Sequence, residues 1–295
     1  MRVLVTGAGG QLGRALIAAR PEGLTLRSET HGRLDIADAA ALGAVWREFA
    51  PELVINAAAF TRVDDAERAP EAAARANSVG PAELAAACRQ SGAWLTHVST
   101  DYVFDGAQSH PYATDAPAKP LNVYGRTKLA GETAVLRELA GQATVVRASW
   151  LYSAGGGFAG KMLALMPAKD HLSIVSDQLG APTSAAGLAR VLWELSLRRA
   201  AGLWHWCDAG VASWYDFAVA IAAEAVELGL LPAAPAITPI ASAAYPAAAA
   251  RPPYSVLDRQ ATERLLGITA LHWRTALRDT LAQAPRAGSH PGGAP

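Results

Sequence analysis

Residues 3–13 read VLVTGAGGQLG, a short apolar run followed by a glycine-rich turn. The run predicts a buried strand, and the residues from Gln11 onward have helical spacing. Glycine in such a turn permits a positive φ and lets a pyrophosphate approach the backbone, where the free N–H groups of a helix N-terminus bind it. The strict G-x-G-x-x-G spacing fails, but Gly7, Gly10 and Gly13 fit the G-x-x-G-x-x-G variant. We therefore predict dinucleotide binding, against a purely structural glycine turn.

Beyond this turn, short apolar runs alternate with longer amphipathic segments. Strand–helix alternation requires crossover connections and produces a parallel sheet covered on both faces. The strands of such a sheet are continuous apolar runs, as residues 3–5, 53–55 and 145–146 are. We predict an α/β fold: a doubly wound, Rossmann-like parallel sheet with a smaller α/β substrate domain.

The regular alternation of predicted strands and helices ends after Tyr152, where a glycine-rich segment begins. A chain of 295 residues also exceeds one typical domain of about 150 residues. We assign residues 1–150 and about 187–212 to a dinucleotide-binding domain, and about 151–186 and 213–284 to a substrate domain. Residues 285–295 are rich in glycine and proline and are predicted to be a disordered tail.

Composition excludes several classes of protein. The hydrophobic fraction of 51% excludes a disordered or fibrous chain, and 26 basic against 26 acidic residues give no electrostatic reason to bind nucleic acid or an anionic membrane. No apolar run has the length of a membrane span, and no signal peptide is recognised. Two cysteines and seven dispersed histidines provide no catalytic metal site. We expect a soluble, cytoplasmic protein.

Three residues bear on which dinucleotide is bound. Arg27 follows the second predicted strand, where a basic side chain accommodates the 2′-phosphate of NADP, although it could equally be a solvated loop charge. Asp35, followed by Ile36, stands where a carboxylate could meet the adenine edge. The alternative for Asp35 is a role at a helix N-terminus, for which Asp38 competes.

A tyrosine and a lysine provide the catalytic signal. Tyr124 and Lys128 are four residues apart at the start of a predicted helix, which puts the phenol and the ammonium on one face. A nearby ammonium is expected to lower the tyrosine pKa from about 10 toward neutrality. Such a tyrosine can protonate a carbonyl oxygen as hydride arrives. Thr100 ends a predicted central strand, at the edge where α/β sheets bind ligands, so its hydroxyl would lie beside the reacting carbonyl unless it is an ordinary strand residue.

These features together resemble the extended short-chain dehydrogenase/reductase superfamily. Longer stretches narrow the resemblance to the dTDP-4-dehydrorhamnose reductase family, from about residue 3 to about residue 258. The most specific are NAAAFTRVDDAE (56–67) and the pair DQLGAPT (177–183) and RPPYS (251–255), and residues 99–106 and RASWLY (147–152) match as well.

The resemblance implies a reaction in which NADPH, or alternatively NADH, reduces the C4 ketone of dTDP-4-dehydro-L-rhamnose to give dTDP-L-rhamnose, the last step of dTDP-rhamnose biosynthesis. It implies that Tyr124 protonates the C4 oxygen, that Lys128 lowers the tyrosine pKa and binds the nicotinamide ribose, and that Thr100 hydrogen-bonds the sugar. The remaining roles follow the same resemblance: Gly10, Gln11 and Leu12 for the pyrophosphate, Asp35 and Ile36 for the adenine side, Ala58 and Ala59 for the cofactor trough, and Asp101 and Trp150 for the sugar nucleotide.

Other expectations concern the substrate end and the assembly. Arg251 is a candidate to match the substrate diphosphate, with an interdomain salt bridge as its alternative. Trp214 could line the sugar pocket, but we favour a packing role. Some relatives form magnesium-bridged dimers through glutamates; here the residue after the glycine turn is Arg14, so magnesium is doubtful while a homodimer remains compatible with the family.

Two other functions stay open. A sibling epimerase or dehydratase would share this fold, but a dehydratase needs an Asp-Glu pair after the catalytic threonine, where this chain has Asp101 and Tyr102. A non-catalytic regulatory relative would share it as well. The intact set of Thr100, Tyr124 and Lys128 argues against that class.

Overall fold

Six parallel strands form the central sheet, in the order β10-β5-β4-β3-β1-β2, within a computed structural model that describes residues 1–284. The predicted disordered tail, residues 285–295, lies outside the described residues. The strands are β1 (Arg2–Thr6), β2 (Thr25–Glu29), β3 (Leu53–Asn56), β4 (Trp94–Thr100), β5 (Ala143–Ala148) and β10 (Gly202–Trp206). Because β10 comes from the second half of the chain, the two halves are interleaved.

Helices cover both faces of this sheet, so the predicted doubly wound α/β fold is confirmed. On one face α1 (Gln11–Ala18) and α8 (Ala185–Leu197) pack on alternate residues of the strands, such as Val3 and Val5. On the other face the intervening residues, such as Leu4, meet three further helices. These are α2 (Ala39–Phe49), α5 (Gly80–Ser91) and α6 (Val123–Glu138).

A second hydrophobic core lies beside the sheet and is built around Phe217 and Tyr152, both fully buried. Three helices supply most of it: α7 (Gly157–Leu165), α9 (Trp214–Glu227) and α11 (Trp273–Leu281). Short strand pairs complete it, namely β6 (Leu151–Tyr152) with β9 (Thr183–Ser184), β7 (His171–Val175) with β12 (Ala236–Ile240), and β8 (Leu179–Gly180) with β11 (Ala212–Ser213).

Three local features differ from the simple alternation of the sequence. The segment 70–91 is not one helix: α4 (Pro70–Ala74) and α5 are joined by a π-helical turn over Arg75–Val79, and α3 (Val63–Arg68) precedes them. Helix α10 (Gln260–Leu266) packs on β10, with Leu266 in the core of the sheet, although the sequence-based boundary assigned it to the substrate domain. The domain boundaries themselves stay a prediction.

Within residues 1–284, every helix is too short or too polar to cross a membrane. Both thiols, Cys88 and Cys207, are buried and free.

Candidate active site

The glycine-rich turn packs so closely on its neighbours that side chains there would collide with backbone. Gly7 has a φ of +72°, and a Cβ built on it would lie 2.5 Å from the nitrogen of Ala58. A Cβ on Gly13 would lie 2.3 Å from the carbonyl oxygen of Gly7. Helix α1 begins at Gln11 without a side-chain cap, which leaves the N–H groups of its first turn available. This cradle fits the pyrophosphate of a dinucleotide.

A cleft of about 960 Å³ opens along the carboxyl ends of the strands, above this turn. Most of the predicted site residues line it: Gly7, Gly10, Gln11, Leu12, Asp35, Ile36, Ala58, Ala59, Thr100, Asp101, Tyr124, Lys128 and Trp150. The structure therefore brings the glycine turn, the end of β4 and the start of α6 into one elongated cavity. Gly13 shapes the turn from below, whereas Arg27 and Arg251 do not line the cleft.

The catalytic candidates meet where α6 approaches the end of β4. Asn122 caps α6 by accepting a hydrogen bond from the Gly125 nitrogen at 2.8 Å. A Cβ on Gly125 would lie 2.1 Å from the Tyr102 carbonyl oxygen, so only glycine allows the helix this close. The approach brings Tyr124 and Thr100 together in the wall of the cleft. The Thr100 hydroxyl also donates to the Asp101 carboxylate at 3.1 Å.

The ammonium of Lys128 is buried one helical turn from Tyr124. Its Nζ donates a hydrogen bond to the Val98 carbonyl oxygen at 2.5 Å. An ammonium has three donors, so two remain for other partners. Burial lowers the pKa of Lys128 to about 8, while Glu132 acts to raise it.

The phenol of Tyr124 behaves differently from the sequence-based expectation. Burial raises the pKa of Tyr124 to about 12, although its hydrogen bond with Thr100 acts to lower it. The expected lowering toward neutrality by Lys128 is wrong for this state of the protein, because desolvation of the phenolate outweighs the other effects. Tyr124 is therefore protonated at neutral pH and holds a proton that it can donate.

Beside this pair lies a carboxylate in an unusual environment. Asp101 is 2% exposed, and its Oδ2 atom is buried without a hydrogen-bond partner. Burial raises the pKa of Asp101 to about 7, against the lowering effect of hydrogen bonds from Ser255 and Thr100. A polar atom buried at the wall of a cleft and left unpaired is typical of a ligand-binding position.

At the end of the cleft lined by Asp35, this carboxylate and the Arg75 guanidinium are already paired. Asp35 accepts hydrogen bonds from the Ala37 nitrogen at 2.9 Å and from the Arg75 guanidinium at 2.7 Å, and both contacts lower its pKa. His31 and Arg75 line the same end of the cleft, and sequence reasoning named neither.

Arg27 lies outside the cleft. Its guanidinium donates to Glu29 at 2.7 Å and to Glu48 at 2.8 Å. Both contacts hold it on the face of β2 that α2 covers, where it also lies 6.0 Å from the Phe49 ring centroid. The predicted contact between Arg27 and a 2′-phosphate has no support in this geometry.

Arg251 likewise has a protein partner instead of a free guanidinium. It forms a two-point ion pair with Asp64 of α3, at 2.7 and 3.2 Å. The pair lowers the pKa of Asp64 and ties the segment before residue 252 to helix α3. The alternative considered for Arg251, a salt bridge between the two parts of the chain, is the arrangement that the structure contains.

Two tryptophans form one wall of the cleft. Trp150 has a φ of +45°, which is uncommon for a bulky residue, and its indole stacks on that of Trp214 with centroids 3.5 Å apart and planes 4° apart. Trp214 donates through Nε1 to Gln178 at 3.2 Å. Sequence reasoning favoured packing for Trp214, but it both packs and lines the cleft.

Sequence reasoning missed Asn77, which lies in the π-helical turn and is fully buried. Its carboxamide accepts from the Phe60 nitrogen at 2.8 Å and donates to the Phe60 carbonyl at 3.0 Å. It also donates to the Thr127 hydroxyl at 3.2 Å, next to Lys128. Asn77 thus links Phe60, which lines the cleft, to helix α6. The change from an α-helical to a π-helical backbone reveals this role of Asn77, and no residue pattern in the sequence predicts it.

No group of three or more histidine, cysteine, aspartate or glutamate side chains is arranged to hold a metal within residues 1–284.

A glycine cradle, a strand-end threonine and a paired tyrosine and lysine define an oxidoreductase that uses a nicotinamide dinucleotide. The comparisons with known proteins narrow this class. The family model described as RmlD substrate binding domain matches residues 1–285. The chain belongs to the dTDP-4-dehydrorhamnose reductase family.

Three relatives illustrate this membership. The dTDP-4-dehydrorhamnose reductase of Streptomyces griseus is 43% identical over 97% of this chain and 95% of its own length. The dTDP-4-keto-6-deoxy-D-glucose reductase of Streptomyces niveus is 41% identical over 94% of this chain and 95% of its own. The crystal structure of the Bacillus anthracis dTDP-4-dehydrorhamnose reductase in complex with NADP is 34% identical, with a TM-score of 0.89 over 96% of this chain and 99% of that one.

Proposed function

We propose that the protein reduces the C4 ketone of dTDP-4-dehydro-L-rhamnose to the alcohol of dTDP-L-rhamnose. The observation that carries this proposal is the meeting of Thr100, protonated Tyr124 and buried Lys128 at one end of a cleft whose other end is a glycine cradle. When bound, the reduced nicotinamide supplies the hydride. The described residues supply the proton and the positioning.

Each of the three residues has a distinct task. Tyr124 gives its phenolic proton to the C4 oxygen, which becomes the product hydroxyl. The Thr100 hydroxyl, which donates to the Asp101 carboxylate in the structure, turns to donate its proton to the sugar C4 oxygen, which orients the ketone. Lys128 has two unused N–H donors, and its positive charge stabilises the tyrosinate that is left after proton transfer.

NADPH is the proposed cofactor, with NADH as an alternative. The B. anthracis relative was crystallised with NADP. Arg75 and His31 give the adenine end of this cleft cationic and hydrogen-bonding groups, although Arg75 is shared with Asp35. A cytoplasmic location and a homodimer stay predictions.

The reaction is tested by mixing the purified protein with NADPH and the 4-keto sugar nucleotide and following the loss of reduced cofactor. Oxidation without any other enzyme supports the reductase. Product formation without net cofactor change would indicate an epimerase, and absence of turnover a regulatory relative. A parallel assay with dTDP-4-keto-6-deoxy-D-glucose, the substrate named for the S. niveus relative, separates the two sugar specificities.

The role of Tyr124 is tested by Tyr124→Phe, which removes the proton and keeps the ring. We expect the rate to fall by about 10²- to 10⁴-fold, the contribution of one general acid, while NADPH affinity persists. Tyr245→Phe, at an exposed tyrosine outside the cleft, is the matched control and should retain full activity. A Tyr124→Phe enzyme with near-wild-type turnover would refute the assigned role.

A further inference from the structure

Behind the catalytic helix lies a buried ion pair that proton transfer does not use. Glu132 of α6 and Arg147 of β5 have side chains that are each 4% exposed. The guanidinium donates from Nε to one carboxylate oxygen at 3.0 Å and from Nη2 to the other at 2.5 Å. Charges this deeply buried are expensive to desolvate, and removing one partner leaves the other uncompensated.

The carboxylate of this pair is one helical turn from the catalytic ammonium. Lys128 and Glu132 are four residues apart on α6, so they share a face, and opposite charges at this spacing attract. The charge of Glu132 acts on Lys128 by raising its pKa against the effect of burial. Without another partner, this carboxylate would draw the ammonium toward itself.

Arg147 is itself fixed by two neighbours on the side away from Glu132. The Phe104 ring centroid lies 5.0 Å from the guanidinium carbon, and His205 Nε2 lies 3.4 Å from Nη1. Burial and the arginine charge lower the pKa of His205 to about 3, so the imidazole is neutral. Its Nδ1–H donates to the Tyr112 carbonyl at 3.0 Å, which leaves Nε2 as an acceptor for the guanidinium.

We propose that Arg147 is a positioning residue for Lys128: by engaging both oxygens of Glu132, it stops that carboxylate from closing on the ammonium. The two free N–H donors of Lys128 then stay directed to the nicotinamide ribose and the tyrosine. This inference rests on the proposed function, because it takes those groups as the partners of Lys128.

The other ionisable groups around Lys128 do not replace Glu132 in this role. Tyr124 is protonated and neutral at pH 7. His97, from β4, is fully buried, and burial together with the Lys128 charge holds its pKa well below the usual range, so it is neutral as well. The ionisation of Lys128 is thus governed by burial and by the charge of Glu132.

Three variants test the proposal: Arg147→Met, Glu132→Gln and the double variant. NADPH affinity of the protein without sugar is measured from about pH 6 to pH 10, together with the thermal midpoint of each variant. In Arg147→Met the freed carboxylate binds the ammonium, so we expect NADPH affinity at neutral pH to fall about tenfold or more, the effect of a lost charge-assisted hydrogen bond. The alkaline limb of binding, which is the loss of NADPH affinity as the pH rises, should move to higher pH.

Glu132→Gln should shift the pH dependence of NADPH binding in the opposite direction, and the double variant should restore it. Glu132→Gln leaves a buried cation near Lys128, so the alkaline limb should move to lower pH. The double variant removes both charges, so neither charge is left unpaired. It should return the NADPH affinity to within about threefold of the wild type and the alkaline limb to the wild-type pH. A purely structural pair would show no opposite shifts among the folded variants.

A control at another ion-paired carboxylate of α6 separates local from general effects. Arg89→Met removes the partner of Glu138, which Arg89 contacts at 2.6 Å. Because Glu138 lies far along α6 from Lys128, affinity and limb should not change. If Arg147→Met does not fold, Arg147→Lys replaces it, since an ammonium cannot hold both oxygens and should give a smaller shift in the same direction.

Unchanged affinity and an unchanged limb in folded Arg147→Met or Arg147→Lys, or a double variant no better than Arg147→Met, would overturn the proposal. The outcome is separable from that of the proposed function. Wild-type protein that binds NADPH but leaves the sugar unreduced refutes the function alone. Wild-type turnover without the opposite pH shifts refutes the positioning role alone.

Discussion

The pKa of Tyr124 is set by burial and by a hydrogen bond that act in opposite directions. The residue spacing reveals the neighbouring ammonium, and it suggested a lowered phenol pKa. The fold adds the desolvation of the phenolate, which is larger and raises the pKa to about 12. Spacing predicts which groups meet, but only the folded chain shows how much water each group has lost. The protonated phenol is also the form that a proton donor needs.

Two helical glycines give opposite predictions for the same substitution. In Gly13→Ala the new Cβ would lie 2.3 Å from the Gly7 carbonyl oxygen and 2.6 Å from the Ala8 Cα. In Gly43→Ala of α2 it would meet only the flexible Arg47 side chain at 3.4 Å. We expect Gly13→Ala to lower the thermal midpoint and abolish NADPH binding, and Gly43→Ala to stabilise by up to about 1 kcal/mol. Thermal unfolding and cofactor titration of both variants test this prediction. Equal effects of the two substitutions would contradict the steric argument.

At the scale of elements, the segment from α4 to α5 shows where sequence patterns stop being informative. Residues 70–91 have continuous helical character in the sequence, which is typical of one helix. A π-helical turn differs from an α-helical one by the register of the backbone hydrogen bonds, and side-chain periodicity does not record this. Yet the turn is what directs Asn77 toward Phe60 and Thr127.

Asn77→Ala should therefore destabilise the protein and weaken the cofactor trough. It leaves the N–H and C=O groups of Phe60 without their partner, and each buried unsatisfied group costs about 1–3 kcal/mol. We expect a loss of that order in urea unfolding, with a parallel loss of NADPH affinity. Ser78→Ala in the same π turn, where no side-chain hydrogen bond is formed, should stay within about 0.5 kcal/mol of the wild type. If Ser78→Ala lost as much stability as Asn77→Ala, the stabilising role of the Asn77 hydrogen bonds to Phe60 would be contradicted.

For the whole molecule, the strand–helix alternation predicted the fold class because it reports directly on crossover connections. The cleft residues at strand ends followed from the same logic, since the carboxyl ends of parallel strands share one edge. Arg27 and Arg251 did not follow, because each has a carboxylate partner on another element of the fold, Glu48 for Arg27 and Asp64 for Arg251. Long-range pairing of exposed-looking charges leaves no local pattern.

The buried His205 contributes a loss of stability in mild acid. His205 has a folded pKa of about 3, against about 6.5 when unfolded. Between those values the unfolded chain binds a proton that the folded chain does not, so stability falls as the pH drops, by at most about 1.4 kcal/mol per pH unit. Asp101 and Asp208, with pKa values raised by burial to about 7 and about 6, act in the opposite direction and offset this loss.

The variant His205→Gln isolates the histidine contribution. Its unfolding free energy, measured in urea at about pH 7.5 and pH 5, should fall less with acid than that of the wild type. His110→Gln, at an exposed histidine, should leave the wild-type pH dependence unchanged. If His205→Gln showed the same acid sensitivity as the wild type, the loss would have to come from other groups.

The position of β10 beside β5 has a consequence for how the chain is made. As the ribosome extends the polypeptide from its N-terminus, strands one to five can assemble, but β5 keeps an open backbone edge until residue 206 has left the exit tunnel. An uncovered apolar edge of this kind invites pairing with another nascent molecule. A protein shortened just after β5 would retain that edge permanently, and we expect it to aggregate instead of surviving as an independent cofactor-binding fragment.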